Sequence, residues 1–386
     1  MRYYIIAGEA SGDLYGANLI EALRKQDPEA EFRFWGGDAM AKAAGQPQRH
    51  IRDLAIMGFV EVVLHLRTVL GNISFCKQDI LGWHPDAVIG IDYPGFNLKI
   101  EKWAHAQGIK AIHYISPQLW AWKKGRLKGM RRYLDRLCYI LPFEQDFYAK
   151  NNLPQATYVG HPLLEIIQGR PADAPLFPDD TRPVIALLPG SRKQELTKNL
   201  PGMVRLAAKH PEYHFVVGGM SLLGKAMYDR FMVPGSEEST QPSTMGRRLP
   251  ACDVVYDQTY RLLSQSFAAV VCSGTATLET ALFHVPQVVC YRGNAVSIAI
   301  ARALVGRRIN HIALVDLIDD SNVVTELLQQ DYNDRRLEEE FRLITLDTAN
   351  RQRMLDGYRR VEEKLGSAGA SLRTAQTIIG EIKIEN

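Results

Sequence analysis

Short apolar runs alternate with helical patterns along most of this 386-residue chain, and this alternation restricts the folds that the chain can adopt. The first run, Tyr3–Ala7, is followed by a glycine-rich turn and by a helical pattern at Leu14–Lys25. The same order returns with a run at Asp86–Ile91, a helical pattern at Leu98–Gln107 and a run at Lys110–Ile115. Strands that alternate with helices in this way predict a parallel β-sheet with helices on both faces.

A second series of the same kind follows segment 169–180, whose three prolines and three acidic residues indicate a linker. Its apolar runs are Pro183–Leu188, Tyr213–Val217, Ala269–Cys272 and Val285–Cys290. We therefore predict an α/β protein with two Rossmann-like lobes whose parallel sheets face a central cleft. In such sheets, ligands bind beyond the carboxyl ends of the strands.

The expected first lobe spans residues 1–168, and the expected second lobe spans residues 169–350. Segment 351–386 has a helical, charged pattern, and it either joins the first lobe or forms a closing segment of its own. This division gives two lobes of similar size, as expected when roughly 100–200 residues form one domain.

Charge and cysteine content exclude several classes of protein. Lys and Arg number 46 against 43 Asp and Glu, and the net charge of +3 is too low for a general nucleic-acid binder. Five scattered cysteines without a C-x-x-C pair predict reduced, mostly buried thiols and disfavour a structural zinc site. The sequence lacks an apolar run of the roughly 20 residues that a membrane span requires. We therefore expect a cytosolic chain that is soluble or at most lies on a membrane surface.

The turn after the first apolar run reads Gly8-Glu-Ala-Ser-Gly-Asp13. Glycines at positions 8, 12 and 16 do not match the G-x-G-x-x-G spacing of dinucleotide-binding folds, which disfavours a nicotinamide cofactor. Two interpretations stay open. The segment is either a tight structural turn or a loop in which Glu9, Ser11 and backbone amides contact a polar substrate.

Another candidate residue follows the run at Asp86–Ile91, where Asp92 precedes Tyr93 and Pro94. A carboxylate at the edge of a cleft acts as a general base if it reaches a substrate hydroxyl. The alternative is a turn-forming aspartate ahead of Pro94, and the spacing alone does not decide between the two. We expect His113 and His161 to be structural.

Two loops of the second lobe carry residues suited to phosphate. Leu188-Pro-Gly-Ser-Arg192 ends a strand; small residues such as Ser191 let a ligand approach the backbone, and Arg192 offers a planar guanidinium. Ser273-Gly274-Thr275 begins a helix whose free amides suit an anion, and Glu279 can accept hydrogen bonds from ribose hydroxyls. Each loop alone is equally consistent with helix capping or a surface ion pair. Together they favour a diphosphate nucleotide.

Tryptophans and basic residues are concentrated between positions 120 and 136. The set suits an anionic membrane surface and comprises Trp120, Trp122, Lys123, Lys124, Arg126, Lys128, Arg131 and Arg132. A solvated helix and RNA binding are the competing interpretations. The stretch from Gly58 to Ile73 either adds an apolar face to this surface or forms an ordinary core helix.

In this order, the motifs resemble those of the lipid-A-disaccharide synthase family of glycosyltransferases. The matching segments are AGEASGD (7–13), MGFVEV (57–62), GIDYPGFN (90–97), YISPQLWAW (114–122), LPFE (141–144), YVGHPL (158–163), LPGSR (188–192), SGTATLE (273–279) and ELLQ (326–329). The resemblance implies a GT-B fold and an enzyme without a metal or another cofactor. It also implies transfer of 2,3-diacylglucosamine from its UDP donor to 2,3-diacylglucosamine 1-phosphate, giving a β-1,6-linked disaccharide and UDP.

The same resemblance assigns roles to residues of this chain. Asp92 would deprotonate the acceptor 6-hydroxyl as it attacks with inversion. The residues that would hold UDP are Ser191, Arg192, Ser273, Gly274, Thr275 and Glu279. The residues that would contact the acceptor or line the cleft are Glu9, Ser11, Asn97 and Gln118. The acylated substrates imply a peripheral enzyme on the inner face of the cytoplasmic membrane, with anionic lipids as partners and a homodimer as an open alternative to a monomer.

Two positions depart from the family pattern. The family often has an acidic residue where this chain has Gly95, which leaves Asp92 as the carboxylate of that motif. The family also often has Leu-Pro-Asn where this chain reads Leu314-Val-Asp316, and an aspartate beside a diphosphate would repel it. Alternative functions therefore stay open: a UDP-N-acetylglucosamine 2-epimerase, a different sugar transferase, or a non-catalytic nucleotide-binding protein at a membrane surface.

Overall fold

The computed structural model describes residues 1–54, 66–120, 125–232, 252–293 and 311–384. The chain divides into two compact domains. The first domain contains Met1–Glu165 and Ser367–Asn386, and the second contains Ile166–Gly366. Segment 351–386 is thus divided, because its first part belongs to the second domain and its last part to the first.

The first domain contains seven parallel strands in the order β3-β2-β1-β4-β5-β6-β7 among the described residues. The strands are β1 Arg2–Ala7, β2 Glu31–Gly36, β3 Arg49–His50, β4 Ala87–Ile91, β5 Lys110–Tyr114, β6 Arg136–Tyr139 and β7 Ala156–Tyr158. The helices are α1 Ala10–Gln26, α2 Asp38–Ala44, α3 Ile51–Leu54, α4 Leu66–Trp83, α5 Asn97–Ala106, α6 Arg126–Tyr133, α7 Glu144–Lys150, α8 Pro162–Gln168 at the domain boundary and, at the end of the chain, α16 Ala370–Lys383. Because the strands are parallel, their carboxyl ends lie along one edge of the sheet.

Apolar strand sequences explain the layered packing of the first domain. Residues Tyr3–Ala7 of β1 and Ala87–Ile91 of β4 are buried, as expected for central strands covered by helices on both faces. Helix α16 is tied to the same domain, because Arg136 Nε donates to Glu381 Oε2 at 2.5 Å. The last helix of the chain therefore completes the first domain rather than the second.

The second domain contains six parallel strands in the order β10-β9-β8-β11-β12-β13 within the described ranges. The strands are β8 Val184–Leu188, β9 His214–Gly219, β10 Asp253–Tyr256, β11 Ser266–Cys272, β12 Gln287–Tyr291 and β13 Thr325–Leu328. The helices are α9 Lys193–Ala207, α10 Lys225–Asp229, α11 Thr259–Leu263, α12 Thr275–Leu282, α13 Leu314–Asp319, α14 Asp334–Thr345 and α15 Thr348–Leu365. Strands β8 and β11 are neighbours at the centre of this sheet. The loops that follow them therefore emerge side by side.

The prediction of an α/β protein with two parallel sheets is confirmed. One element differs at its start: helix α1 begins at Ala10 instead of Leu14, so Ser11, Gly12 and Asp13 form helix rather than turn. The physical reason is Asp13, whose buried carboxylate accepts hydrogen bonds from the amides of Gly37 at 2.6 Å and Ala39 at 3.0 Å and thereby caps α2.

All five cysteines are free thiols and are buried, as the sequence predicts. In the described ranges, none of the helices combines the length and apolar character needed to cross a bilayer.

Candidate active site

Asp92 lies at the carboxyl edge of the first sheet, directly after β4. Its backbone adopts the left-handed conformation with φ of 47°, and Tyr93 follows with φ of 48°. This conformation is uncommon for residues other than glycine, and aspartate is among those that tolerate it best. The backbone amide of Asp92 donates to the carbonyl of Tyr114 on β5 at 2.9 Å. The neighbouring strand therefore holds Asp92 in an unusual backbone geometry at the edge where ligands bind in such sheets.

Asn97 lies beneath this turn and is completely buried. Its side-chain amide donates to the carbonyls of Asp92 at 2.7 Å, Ile6 at 3.2 Å and Ile91 at 3.3 Å. Asn97 thus binds the backbone that carries Asp92. Its predicted contact with the acceptor stays a prediction. In the part of the chain that the structure describes, its Nδ2 binds backbone carbonyls, whereas its buried Oδ1 has no hydrogen-bond partner.

The segment Gly8-Glu9 reaches the same edge from β1. A Cβ atom on Gly8 would lie 2.5 Å from the ring of Tyr93, so only glycine permits this close approach. Burial, and then the charge of Glu9, raises the pKa of the Tyr93 hydroxyl, which places the Glu9 carboxylate near the residue that follows Asp92. Glu9 and Ser11 are both half-buried. The structure therefore brings Glu9 toward the Asp92 turn, while Ser11 occupies the first turn of α1.

Glu101 and His113 are neighbouring buried groups, and their pairing was not predicted from the sequence. Glu101 Oε1 lies 2.7 Å from His113 Nδ1, and both side chains are fully buried. His113 was expected to be structural, and Glu101 was not singled out. A signal was present in retrospect, because a glutamate in an otherwise apolar helix face needs a buried partner.

The next strands contribute a second buried carboxyl at this edge. Ser116 follows β5, and its hydroxyl hydrogen-bonds the carboxyl of Glu144, which begins α7 after β6. Burial raises the pKa of Glu144 to about 8, although the bonds from Ser116 and from the Leu141 amide oppose the rise. Gln118 lies two residues beyond Ser116 and is exposed. Glu144 is part of the LPFE motif, yet the sequence analysis gave it no role.

Only part of the predicted membrane-facing set falls within the described residues. Trp122, Lys123 and Lys124 lie outside them, as do residues 58–65 of the Gly58–Ile73 stretch. Trp120 packs edge-on against Phe143 at 5.1 Å between ring centroids. The basic residues are on helix α6, where Lys128, Arg131 and Arg132 are exposed and Arg126 is half-buried. Arg131 also donates to the carbonyls of Asn151 and Asn152.

In the second domain, the Leu188–Arg192 loop closes on the first turn of α9. Gly190 has φ of 111°, which favours glycine, and a Cβ atom there would lie 2.6 Å from Glu195. Glu195 Oε2 accepts from the amides of Ser191 at 3.2 Å and Arg192 at 3.3 Å, while its Oε1 lies 3.5 Å from Arg192 Nη1. Ser191 and Arg192 remain exposed. The loop therefore presents an arginine to solvent and uses an internal carboxylate to fix its backbone.

The Ser273–Thr275 loop lies beside the Leu188–Arg192 loop. The connection is Asn199 on α9, whose side-chain amide donates to the Pro189 carbonyl at 3.3 Å and contacts Cys272 Sγ at 3.3 Å. Gly274 is exposed with φ of 152°, and a Cβ atom there would meet no atom within 4 Å among the residues that the structure describes. Helix α12 begins at Thr275 without a side-chain cap. Exposed amides at an uncapped helix start suit an anion.

Glu279 lies one turn further along α12 and is half-buried. Its Oε1 accepts a hydrogen bond from the Tyr260 hydroxyl at 3.1 Å. Burial raises the pKa of Glu279 to about 7, and the Tyr260 bond opposes this rise. Tyr260 in turn lies under the guanidinium of Arg170, 5.4 Å from the ring centroid. Glu279 was predicted from the sequence as a site residue, but Tyr260 was not. The fold places Tyr260, on α11, within hydrogen-bond distance of Glu279.

The two positions that depart from the family pattern have clear environments. A Cβ atom on Gly95 would meet no atom of the described residues within 4 Å, so these residues leave room there for a larger side chain. Asp316 is 1% exposed, and its Oδ1 accepts from the amides of Val323 at 2.8 Å and Val324 at 3.0 Å. The carboxylate of Asp316 therefore closes a loop of its own domain.

Asp316 also belongs to a group of possible metal ligands with His311 and Glu326, whose ligand atoms lie within 4.8 Å of one another. Carboxylate oxygens of Asp316 and Glu326 already accept hydrogen bonds from backbone amides. Glu326 accepts from the amides of Ile312 and Ala313, just as Asp316 accepts from Val323 and Val324. The group is therefore explained by loop closure, and we assign no metal to it.

Comparison with known proteins gives matches along almost the whole chain. Residues 3–378 match the family described as lipid-A-disaccharide synthetase. The chain is 33% identical over 390 residues to the lipid-A-disaccharide synthase of Trichlorobacter lovleyi, covering 99% of this chain and 98% of that protein. It is 37% identical over 375 residues to the protein of that name from Acidobacterium capsulatum, covering 95% and 92%.

Solved structures with the same fold include a glycosyltransferase and a sugar epimerase. The glycosyltransferase of kitacinnamycin gives a TM-score of 0.64 at 16% identity and covers 98% of both chains. The UDP-GlcNAc 2-epimerase of Neisseria meningitidis gives a TM-score of 0.62 at 14% identity and covers 100% of both chains. At such identities the likeness concerns the fold alone, and it confirms the predicted GT-B-type architecture.

Proposed function

The chain belongs to the lipid-A-disaccharide synthase family of glycosyltransferases, and we propose that Asp92 is the general base of its transfer reaction. The reaction moves 2,3-diacylglucosamine from its UDP donor to the 6-hydroxyl of 2,3-diacylglucosamine 1-phosphate. The acceptor oxygen forms the new bond to the anomeric carbon on the face opposite UDP, and the bond to the diphosphate breaks. The hydroxyl proton passes to the Asp92 carboxylate, and UDP leaves with the bonding electrons.

The observation that carries this assignment is the position of Asp92. It follows β4 at the carboxyl edge of the first sheet, in a left-handed backbone conformation that Asn97 and Tyr114 hold with hydrogen bonds. Backbone strain of this kind persists only where its surroundings enforce it, and it is concentrated at functional sites. Because residue 95 is a glycine, Asp92 is the carboxyl of this motif.

The second domain is the proposed donor site. Arg192 and the uncapped start of α12 supply positive groups for the diphosphate, and Glu279 supplies a hydrogen-bond acceptor for ribose. Positive groups at the leaving diphosphate stabilise the charge that develops on it in the transition state. Ser191, Ser273, Gly274 and Thr275 complete the proposed set.

Substitution of Asp92 tests the proposed base. Asp92→Asn keeps the size and the turn-forming side chain but cannot accept a proton, so we expect kcat to fall by about 10²–10⁴-fold. The affinity for UDP should stay unchanged. Turnover near that of the wild type would overturn the assignment.

Gly95 allows a sharper version of this experiment. Because a Cβ atom fits there without contact, Gly95→Asp restores a carboxyl to the same loop without a clash. In the Asp92→Asn background, Gly95→Asp should recover part of the lost kcat, whereas Gly95→Asn should not. Equal activity of these two double variants would show that the charge at this loop does not contribute to rate.

Arg192 is tested by UDP binding. Arg192→Ala should weaken the binding of UDP and reduce kcat/KM for the donor, because it removes a charged partner of the diphosphate. Lys209→Ala is a matched control, since Lys209 is a half-exposed cation of the same domain at the far end of α9, paired with Glu338 at 3.9 Å. Unchanged UDP affinity and rate in Arg192→Ala would remove Arg192 from the site.

Product analysis separates the proposed reaction from the alternatives. With both lipid substrates present, mass spectrometry should detect the acylated disaccharide 1-phosphate and UDP in equal amounts. An epimerase would convert a UDP-sugar without any acceptor, and a non-catalytic protein would bind UDP without product. The acylated substrates, together with the exposed basic residues Lys128, Arg131 and Arg132 on α6, also support our proposal that the enzyme works at the inner surface of the cytoplasmic membrane.

A further inference from the structure

Glu101 and His113 form a buried ion pair in the core of the first domain, close to the Asp92 turn. Their side chains are fully buried, and Glu101 Oε1 lies 2.7 Å from His113 Nδ1. Within the described residues, the second oxygen of Glu101, Oε2, and the second nitrogen of His113, Nε2, have no partner of good hydrogen-bond geometry, although the Ile115 backbone also favours the charged form of His113. Buried polar groups without partners are costly, so a pair that keeps two of them calls for an explanation beyond packing.

The backbone of β4 is shaped to admit this pair. A Cβ atom on Gly90 would lie 2.1 Å from Glu101 Oε1, so residue 90 must lack a side chain for the glutamate to fit. Gly90 is two residues before Asp92 and is directly paired with His113 across the sheet. Glu101 is also one helical turn after Asn97, which binds the Asp92 carbonyl. The pair and the Asp92 turn are thus connected through strand β4, helix α5 and the pairing of β4 with β5.

The charges of Glu101 and Asp92 both act on His113. Burial disfavours the charged form of His113, but the charge and hydrogen bond of Glu101, followed by the charge of Asp92, raise its pKa above the usual value. Tyr133 on α6 also faces Glu101, and burial followed by that charge raises the pKa of its hydroxyl, so it stays neutral. Arg136 of β6 binds Glu381 of α16 at the opposite end of the strands. Arg373 of α16 lies at the carboxyl edge, after β7, where its Nε donates to the Val159 carbonyl at 2.7 Å. Within the described residues, His113 is thus a buried group on which the charge of Asp92 acts.

We propose that Glu101 and His113 form a positioning pair for Asp92, in which Glu101 holds His113 as an imidazolium and its positive charge keeps Asp92 ionised and ready to accept a proton. This inference rests on the proposed role of Asp92 as the base. It assigns the pair no contact with substrate. The pair acts through Asp92 alone.

The pH dependence of turnover tests this role. A cation near a carboxylate favours the ionised form, so loss of the cation disfavours that form. In His113→Gln, the acidic limb of the kcat profile should therefore move to higher pH, while KM for the donor stays the same. Asp79→Asn is the matched control, because Asp79 is also a carboxylate paired with a cation in this domain, bound to Arg33 at 2.5 Å, and its loss should leave the limb in place.

A measurement on the intact protein guards against a variant that does not fold. Nitrogen-15 NMR of histidine side chains distinguishes imidazolium from neutral imidazole. The His113 signal, assigned by its absence in His113→Gln, should be that of an imidazolium at pH 7.5 in the wild type. In Glu101→Gln, this signal should change to that of the neutral form. A neutral His113 in the wild type, or an unmoved acidic limb in folded His113→Gln, would overturn the proposal.

The role of Asp92 as the base and the role of the Glu101–His113 pair can be rejected separately. If Asp92→Asn turns over at the wild-type rate, the assignment of the base is wrong. If Asp92→Asn is inactive but His113→Gln keeps the wild-type limb, the base assignment stands and the positioning pair is rejected.

Discussion

The side-chain amide of Asn97 donates a hydrogen bond to the main-chain carbonyl of Asp92 across 2.7 Å. The same amide also binds the carbonyls of Ile6 and Ile91, so one buried side chain connects the ends of β1 and β4 to the turn that follows. Asp92 therefore keeps its left-handed backbone because a neighbour on α5 holds it there. This relationship makes the geometry of the proposed base dependent on a residue that does no chemistry.

Asn97→Ala should lower both activity and stability. Loss of the amide leaves buried carbonyls without a donor, which should lower the free energy of unfolding by about 2 kcal/mol. Misplacement of Asp92 should reduce kcat by about 10²-fold, with the affinity for UDP unchanged. Denaturant titration and steady-state kinetics measure the two effects. Asn151→Ala serves as control, since it loses one amide bond to the Phe147 carbonyl at the end of α7, and a similar loss of kcat there would contradict the assignment.

Gly90→Ala should destabilise the first domain. The added methyl group would approach Glu101 Oε1 to 2.1 Å, and overpacking of a core costs about 1–3 kcal/mol. The same exchange at Gly71, within α4, meets no atom within 4 Å and should stabilise the helix by about 0.5–1 kcal/mol. Thermal unfolding of the two variants compares the same glycine-to-alanine exchange at a crowded position and at an open one. Equal stability of both would show that the buried glutamate does not require the glycine.

Tyr260→Phe should weaken UDP binding without changing kcat. The Tyr260 hydroxyl binds Glu279 and opposes the rise of its pKa to about 7 that burial causes. Without this bond the pKa of Glu279 rises further, and the protonated carboxyl loses acceptor capacity toward ribose. We expect the Kd of UDP to increase about fivefold, as for one lost hydrogen bond, and to increase more at pH 6.5 than at pH 8.

A suitable control for this prediction is Tyr228→Phe in the same domain, whose hydroxyl accepts from the Met220 amide at 2.8 Å. Calorimetric titration with UDP should find the wild-type Kd in that variant. An equal loss of UDP affinity in both variants, or no loss in Tyr260→Phe, would show that Tyr260 does not contribute to the donor site.

Asp316→Asn should make the protein more stable at alkaline pH. Burial raises the pKa of Asp316 to about 7, so the native state retains a proton that the unfolded chain releases near pH 4. The free energy of unfolding therefore falls as pH rises from about 4 to about 7, and this loss is complete above pH 7. Asparagine does not ionise, so the variant does not lose this part of the free energy of unfolding as pH rises. Denaturant titrations should find a gain for the variant at pH 8 that diminishes at pH 5.

Asp319→Asn, three residues away, should have the opposite effect. Although burial favours its neutral form, hydrogen bonds from Arg360, Ser321 and Lys364 lower the pKa of Asp319 to about 2. Its stabilising contribution is present above pH 4 and is lost as pH falls toward 2. The variant should therefore be less stable than the wild type at pH 8. A change of the same sign in both variants would contradict the environments described for the two carboxyls.

Most of the fold was predictable because strand and helix periodicity are local properties. The apolar runs at Tyr3–Ala7 and Pro183–Leu188 became central strands of the two sheets, since a strand without polar positions must be covered on both faces. The start of α1 was placed too late, because the capping of α2 by Asp13 is a contact between residues far apart in sequence. Periodicity carries no information about such a partner.

The candidate site was predictable only in part. Asp92, Arg192 and Ser273–Thr275 stand directly after strands, where the sequence alone indicates a ligand-binding edge. The partners that govern these residues were not predictable. Glu101 reaches His113 from a helix, and Tyr260 reaches Glu279 from another, over separations of 12 and 19 residues.

The sequence by itself determined that this chain forms two parallel α/β domains and carries the motifs of a lipid A glycosyltransferase, because both are written in residue order and spacing. Only the tertiary structure decided which groups surround the motif residues. It connected the Asn97 amide to the Ile6 carbonyl, set Asn199 against Cys272, and brought the Asp13 carboxylate to the amide of Gly37. Hydrogen bonding and the pKa of a carboxyl depend on the atoms within a few ångströms, and those atoms come together only when distant segments pack.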